Sequence, residues 1–281
     1  VNGGDIERVL AARSAELPGG LHVLRALPQA QQRMVGPFVF LDQMGPVNGP
    51  PMAVAPHPHI GLSTVTYLFE GEAIHRDSLG TVQRIAAGDV NWMTAGRGIA
   101  HSERGPKGGG RTSGIQIWVA LPKQHEETEP TFAHHPASTL PVLEPDGMRL
   151  KLVAGTLWGA RSPVKTHSEL FYAVAEIEAS GLLHLPPEHE ERAAYLVEGR
   201  LEPLSPGELA VFRPGADVCL RAEEPSRVLL FGGATMDAPR HIWWNFVSSS
   251  RDRIEQAKED WRRQRFGAIP EETDFIPLPE R

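Results

Sequence analysis

At 281 residues the chain has room for one large all-β unit or two domains of ordinary size. Its 41% hydrophobic fraction argues against disorder, and 28 glycines with 25 prolines favour short strands closed by turns over long helices. A net charge of −7 without a dense Lys/Arg block argues against direct nucleic-acid binding, and no apolar run reaches the roughly 18 residues of a membrane span.

One cysteine, Cys219, permits no intramolecular disulfide and fits a reducing compartment, so the chain is expected to be cytoplasmic. In Asp217-Val218-Cys219-Leu220 it falls within an alternating strand pattern, where the thiol is expected to act as a small buried hydrophobe.

Along the chain, Leu21 to Leu27 is the first stretch that reads as strand, and Phe38-Val39-Phe40-Leu41 follows Gly36-Pro37. Met44 to Pro58 is rich in Pro and Gly, which predicts an irregular loop delivering His57 and His59 to the rim of a sheet. Leu62 to Glu70, a turn at Glu70-Gly71-Glu72, and Ala73 to Asp77 look like a hairpin. Strand character resumes at Gln83-Arg84-Ile85 and, after the turn Ala87-Gly88-Asp89, at Val90-Asn91-Trp92-Met93. Gly96-Arg97-Gly98 breaks it. Gly114 to Leu121 is the clearest alternating strand, with Ile115, Ile117, Val119 and Leu121 on one face.

The polar, proline-dotted stretch Pro122 to Pro145 reads as a linker. Beyond it, short strands are expected at Met148 to Leu152, Phe171 to Ile177, Gly181 to Leu185, Arg192 to Val197, Leu209 to Arg213 and Arg227 to Phe231. Turns at Glu198-Gly199-Arg200, Ser205 to Glu208 and Arg213-Pro214-Gly215 separate them. The turns Ala87-Gly88-Asp89-Val90 and Pro206-Gly207-Glu208-Leu209 sit in comparable contexts and hint at an internal duplication. Near the C-terminus, serines 248–250 offer N-caps for a surface helix at about 250–266, with Ile254, Ala257 and Trp261 on one face; Gly267, Pro270 and Pro277 keep the tail extended beyond it. The pattern as a whole predicts an all-β chain of two cupin-type jelly-roll β-barrels, residues 1–130 and 131–281, with a short C-terminal helix and extended tail.

The chemistry concentrates in two short clusters, His57-Pro58-His59 and, about forty residues on, His101-Ser102-Glu103. Residues two apart on a strand point to the same face, so each cluster offers half of a metal site. Three imidazoles and a carboxylate suit Fe, Mn, Ni, Co, Cu or Zn with positions left open for water, substrate or dioxygen. The bland alternative leaves His57 and His59 as solvated loop residues and Glu103 on the surface. His22, His75, His125, His134, His135, His167 and His241 lack metal spacing. In the second half His184, His189, Glu190 and Glu191 have no matching second cluster, and Val211-Phe212-Arg213-Pro214 stands where one would be needed; that barrel is expected to hold no metal. Phe40, Trp92, Met93, Ile117 and the loop before His57 are candidates for pocket walls.

His57-Pro58-His59-x-Gly61, Val65-Thr66-Tyr67-Leu68, Gly88 to Ile99 and His101-Ser102-Glu103 together resemble the signature of the pirin family. The resemblance is dense from Gly36 to about Leu121, and beyond that it is one of order and length. It implies a bicupin with iron held in the N-terminal barrel by His57, His59, His101 and Glu103, the carboxylate coming from the second cluster rather than the first as in ordinary cupins. It further implies either of two roles. The leading one is a quercetin 2,3-dioxygenase-type oxygenase acting with dioxygen on a flavonol-like or other enolisable small molecule, in which Glu103 either stays a ligand or, as a partly released carboxylate, is the catalytic group that accepts the substrate's hydroxyl proton. The alternative is an iron-dependent redox-sensing module that binds a protein partner without turnover. A zinc hydrolase or isomerase on the same barrel lacks a second recognisable acid or base.

Overall fold

A computed structural model describes residues 5–17, 20–49, 53–145 and 147–280. Its strands in chain order are β1 (Ile6–Ala11), β2 (Arg13–Leu17), β3 (Leu21–Leu27), β4 (Phe38–Gly49), β5 (Ala53–His59), β6 (Leu62–Glu70), β7 (Glu72–Asp77), β8 (Val82–Ala86), β9 (Val90–Thr94), β10 (Ile99–Arg104), β11 (Gly110–Ala120) and β12 (Thr131–His135). They continue as β13 (Val142–Leu143), β14 (Met148–Leu157), β15 (Ala160–Arg161), β16 (Leu170–Ile177), β17 (Leu182–Leu185), β18 (Glu191–Glu202), β19 (Glu208–Phe212), β20 (Val218–Gly233), β21 (His241–Trp243) and β22 (Phe246–Ser248), followed by helix α1 (Arg251–Arg262). No helix among the described residues is long and apolar enough to cross a membrane.

Two compact units divide the chain, one from residues 1–14, 24–42 and 138–236 and the other from 15–23, 43–137 and 237–281. They are therefore not two consecutive segments meeting near residue 130. The N-terminal strand β1 pairs with β19 in the first unit, while the C-terminal tail with α1 belongs to the second.

In the first unit the sheet order is β1-β19-β18-β20-β16-β14-β13. Alternating inward residues, among them Leu150, Leu152, Phe171, Ala173, Leu196, Phe212 and Leu230, build one continuous apolar core. Arg192 is fully buried at its edge, its guanidinium donating to the carbonyls of Leu185, Pro186 and Arg213. His189 is buried, stacks on Phe171 and bonds the Thr156 carbonyl, whereas His184 is exposed and pairs with Asp217. The expected turn at Glu198-Gly199-Arg200 is an irregularity inside β18, where the pairing with β20 shifts register and the strand continues. Cys219 is exposed, not buried: on β20 the phase of the alternation sends Val218 and Leu220 into the core and turns Cys219 outward.

The second unit carries a seven-stranded sheet, β12-β9-β6-β11-β4-β3-β2, and a four-stranded sheet, β5-β10-β7-β8; the unit boundary falls within β2, β3 and β4. β6 and β7 do not form the expected hairpin. β6 is buried at nearly every position and sits centrally in the larger sheet, while β7 alternates buried and half-buried residues and enters the smaller one. Much of the predicted loop before Pro58 is strand as well, with β4 running to Gly49 and β5 starting at Ala53; residues 50–52 of that stretch lie outside the described residues. The predicted linker contains β12, which pairs with β9 at the sheet edge.

The two glycine turns singled out in the sequence are built alike. Gly88 and Gly207 both have φ +83°, and each donates its N–H at 2.8 Å to a leucine carbonyl, Leu68 before β9 and Leu196 before β19. Each unit thus repeats one local plan, in keeping with duplication.

Candidate metal centre

The smaller sheet of the second unit presents the histidines. β5 is its edge strand, a position that tolerates the missing N–H groups of Pro56 and Pro58, and these prolines alternate with His57 and His59 so that both imidazoles share the opposite face. Register then places His101 of β10 directly across from His57 and, on the other side, from Asp77 of β7, with Glu103 across from His75. A shift in the β5–β10 pairing separates His101 from Glu103.

His57, His59 and His101 are all buried, and one ring nitrogen of each lies within 4.8 Å of the others. Their ring centroids stand 4.4 to 5.1 Å apart. His57 Nδ1 donates to the Ala55 carbonyl at 2.9 Å, which leaves Nε2 as its lone-pair nitrogen. Nε2 of His101 is buried and makes no hydrogen bond. A buried ring nitrogen without a partner costs free energy in proportion to its lost solvation, and a coordinated ion is one way to recover it. The donor set and the orphaned nitrogen fit a borderline divalent metal.

The electrostatics agree. Burial, opposed by the Ala55 bond and reinforced by the neighbouring His75 imidazole, lowers His57 to about 4. Burial and neighbouring imidazoles hold His59 and His101 well below the ordinary histidine range. All three rings are therefore neutral near pH 7, the form that donates a lone pair to a metal.

Glu103 is buried on the same strand face but stands outside this group of three mutually close donors. Its Oε1 lies 2.7 Å from Thr66 Oγ1 of β6, which is also 2.8 Å from Gln116 Oε1 of β11. One hydroxyl hydrogen cannot satisfy two acceptors, so Thr66 serves Glu103 while Gln116 presents its amide, or a protonated Glu103 donates to Thr66. Burial raises the Glu103 carboxyl and the Thr66 bond partly offsets this.

The larger sheet supplies the facing wall. Register aligns Thr66 with Asn91 and Gln116, Thr64 with Met93 and Trp118, and Met93 with Phe132, so these side chains share one face. Trp118 meets His59 edge-on at 5.2 Å and Phe132 stacks on His75 at 4.4 Å. Of the expected pocket walls, Met93 lies on this face, whereas Trp92 and Ile117 alternate to the opposite one beside Val65. Phe40 lies under the Arg25 guanidinium in a cation–π contact.

His75 and Asp77 escape the sequence reading. His75 Nδ1 is 3.2 Å from His101 Nδ1, and its Nε2 is 2.9 Å from Asp77 Oδ2. Burial alone would raise Asp77, but hydrogen bonds from His75 and Thr81 outweigh it and hold the carboxyl below its usual value. The signal was available: His75-x-Asp77 repeats the period-two spacing of His101-x-Glu103.

The tail backs the site from outside. Ile276 N donates to Pro56 O, and Glu272 accepts from Ser102 Oγ and Arg104 on the outer face of β10. Ala100, Ile60, Phe246, Ile254, Ala257 and Trp261 form an apolar cluster between β10, the β5–β6 turn and the tail.

Two cupin domains, one of them carrying an inward cluster of three histidines that could hold a metal ion, define a bicupin. The family model for pirin matches residues 20–119 and that for the pirin C-terminal cupin domain matches 172–267. The chain belongs to the pirin family. It is 50% identical to a pirin-like protein of Caulobacter vibrioides over 98% of this chain and all of that protein. It is 42% identical to a provisionally named quercetin 2,3-dioxygenase of Pseudomonas aeruginosa, over 94% of this chain and 86% of the relative. Among solved structures it resembles a quercetin 2,3-dioxygenase from Acinetobacter baumannii with a TM-score of 0.91 at 35% identity, covering 98% and 96% of the two chains. A bacterial pirin from Escherichia coli in complex with nickel(II) shares the fold at a TM-score of 0.63 and 20% identity, over 82% and all of the respective chains.

Proposed function

We propose that this chain is a metal-dependent dioxygenase of quercetinase type, acting on a flavonol or another enolisable small molecule with dioxygen, and that iron is its resident ion. The observation that carries the reading is the convergence of three neutral, buried imidazoles with an orphaned Nε2 on His101. The names of the Pseudomonas aeruginosa and Acinetobacter baumannii relatives support the same chemistry.

His57, His59 and His101 would hold the ion, with Glu103 as the fourth group. When bound, the ion supplies a Lewis-acid centre that acidifies an enol hydroxyl and brings dioxygen next to it. Glu103 takes up the hydroxyl proton through the oxygen that Thr66 does not engage, and its upward-shifted carboxyl suits that task better than an ordinary glutamate. Met93, Trp118 and Phe132 exclude water from the face opposite the histidines.

The test is turnover of quercetin in air by metal-loaded protein, followed by loss of flavonol absorbance and by oxygen uptake. Consumption well above that of His101→Ala is expected. Equal rates for the two proteins would sink the proposal.

One observation favours a second reading, a redox-sensing module that engages a protein partner. The strand carrying His101 and Glu103 on its inner face is gripped on its outer face by tail residue Glu272, so a change at the metal has a short path to the surface. A partner retained by the holo protein and lost from the apo protein would favour this role; an identical partner list would count against it.

A further inference from the structure

We propose that Asp77 and His75 act as positioning residues that set the tautomer of the His101 ring and thereby keep its Nε2 bare for a metal ion. The inference rests on the reading of His101 as a ligand, and it extends the site to two residues that touch no ion.

Asp77 is fully buried, and its Oδ1 already accepts the backbone N–H groups of Leu79 at 2.9 Å and Thr81 at 3.0 Å. Oδ2 remains, facing His75 Nε2 at 2.9 Å. A carboxylate only accepts, so His75 must donate from Nε2. With its single N–H given to Asp77, His75 in its neutral form offers Nδ1 as an acceptor. That atom lies 3.2 Å from His101 Nδ1, so His101 donates there and its own hydrogen is placed on Nδ1. Its Nε2 keeps the lone pair, and this is the buried nitrogen that lacks a hydrogen bond. Phe132 stacks on His75 and closes its ring face to polar partners.

The chain of hydrogen bonds has a polarity that one isosteric change reverses. In Asp77→Asn, the two backbone N–H groups require the amide oxygen, so the NH₂ turns toward His75 Nε2. His75 then accepts at Nε2 and donates from Nδ1, His101 Nδ1 accepts, and the His101 hydrogen moves to Nε2. The ligand nitrogen is blocked with no loss of packing volume.

The experiment reads the tautomers first, by long-range ¹H–¹⁵N correlation of the histidine rings in the full-length metal-free protein, and then the affinity for Ni²⁺ by chelator competition. The wild type is expected to show His101 as the Nδ1–H form, and Asp77→Asn as the Nε2–H form with affinity weakened about 10- to 100-fold. His75→Phe, which removes the relay without inverting it, should give mixed His101 tautomers and a smaller loss. An Nε2–H His101 in the wild type would overturn the proposal, and so would unchanged tautomer and affinity in folded Asp77→Asn. If Asp77→Asn does not fold, the wild-type and His75→Phe spectra decide. Expected tautomers in a wild type that binds no Ni²⁺ would instead overturn the metal reading and leave the relay standing.

Discussion

Thr66 Oγ1 stands 2.7 Å from Glu103 Oε1, a bond between the two sheets of the histidine-bearing unit that gives a buried carboxylate its hydroxyl partner. Thr66→Val keeps the shape and removes the bond, leaving Glu103 with an unsatisfied oxygen. The metal-free protein should lose about 1–3 kcal/mol in urea unfolding, with recovery in Thr66→Ser. Equal stability for Val and Ser at this position would show that the bond contributes nothing.

The buried histidines make stability fall in mild acid. His57 titrates at about 4 when folded and near 6.5 when unfolded, so its contribution is fully present above pH 6.5 and is lost as pH falls toward 4, where only the unfolded chain takes up the proton. That amounts to about 3 kcal/mol for His57 alone, and His59 and His101 act in the same direction. Denaturant midpoints of the metal-free protein at pH 7.5, 5.5 and 4.5 should decline in that order. A flat profile would mean the rings are hydrated.

Gly61 follows His59 by two residues and has φ +68°, and a Cβ there would lie 1.9 Å from the Val247 carbonyl. Gly61→Ala should cost at least roughly 1–2 kcal/mol from the left-handed backbone, and more from the clash with β22. Because the same turn carries His59, metal uptake should weaken along with thermal stability. A variant that melts like the wild type would contradict this.

Glu272 ties the tail to β10 through Ser102 and Arg104, and Asp274 offers Arg104 a second carboxylate. Arg104 is partly exposed, so Glu272→Ala should cost only on the order of 1 kcal/mol. The clearer readout is limited proteolysis, which should cut the tail beyond α1 faster than in the wild type. Unchanged cleavage would place the tail's attachment in the apolar cluster around Trp261 alone.

Much of this arrangement is legible in the sequence, for reasons that differ by residue. His57, His59 and His101 stand out because strand alternation turns period-two spacing into a shared face, and Gly88 and Gly207 mark equivalent turns. Pairing between strands is not written in linear order. Nothing local says that β7 leaves β6 to join β10, and without that register His75 and Asp77 look like isolated polar residues. β12 is hidden because it is short and polar, with Phe132 as its large apolar contribution to the site face. Cys219 shows the limit of alternation, which gives the period of a strand but not its phase.

In the proposed mechanism His57, His59 and His101 hold one redox-active ion to which a flavonol hydroxyl binds. Metal analysis of anaerobically purified protein, with its absorption spectrum recorded before and after quercetin is added, tests this most directly. One iron per chain, a quercetin-induced spectral change, and loss of both in His101→Ala are predicted. Stoichiometric zinc, or metal content that His101→Ala leaves unchanged, would contradict it.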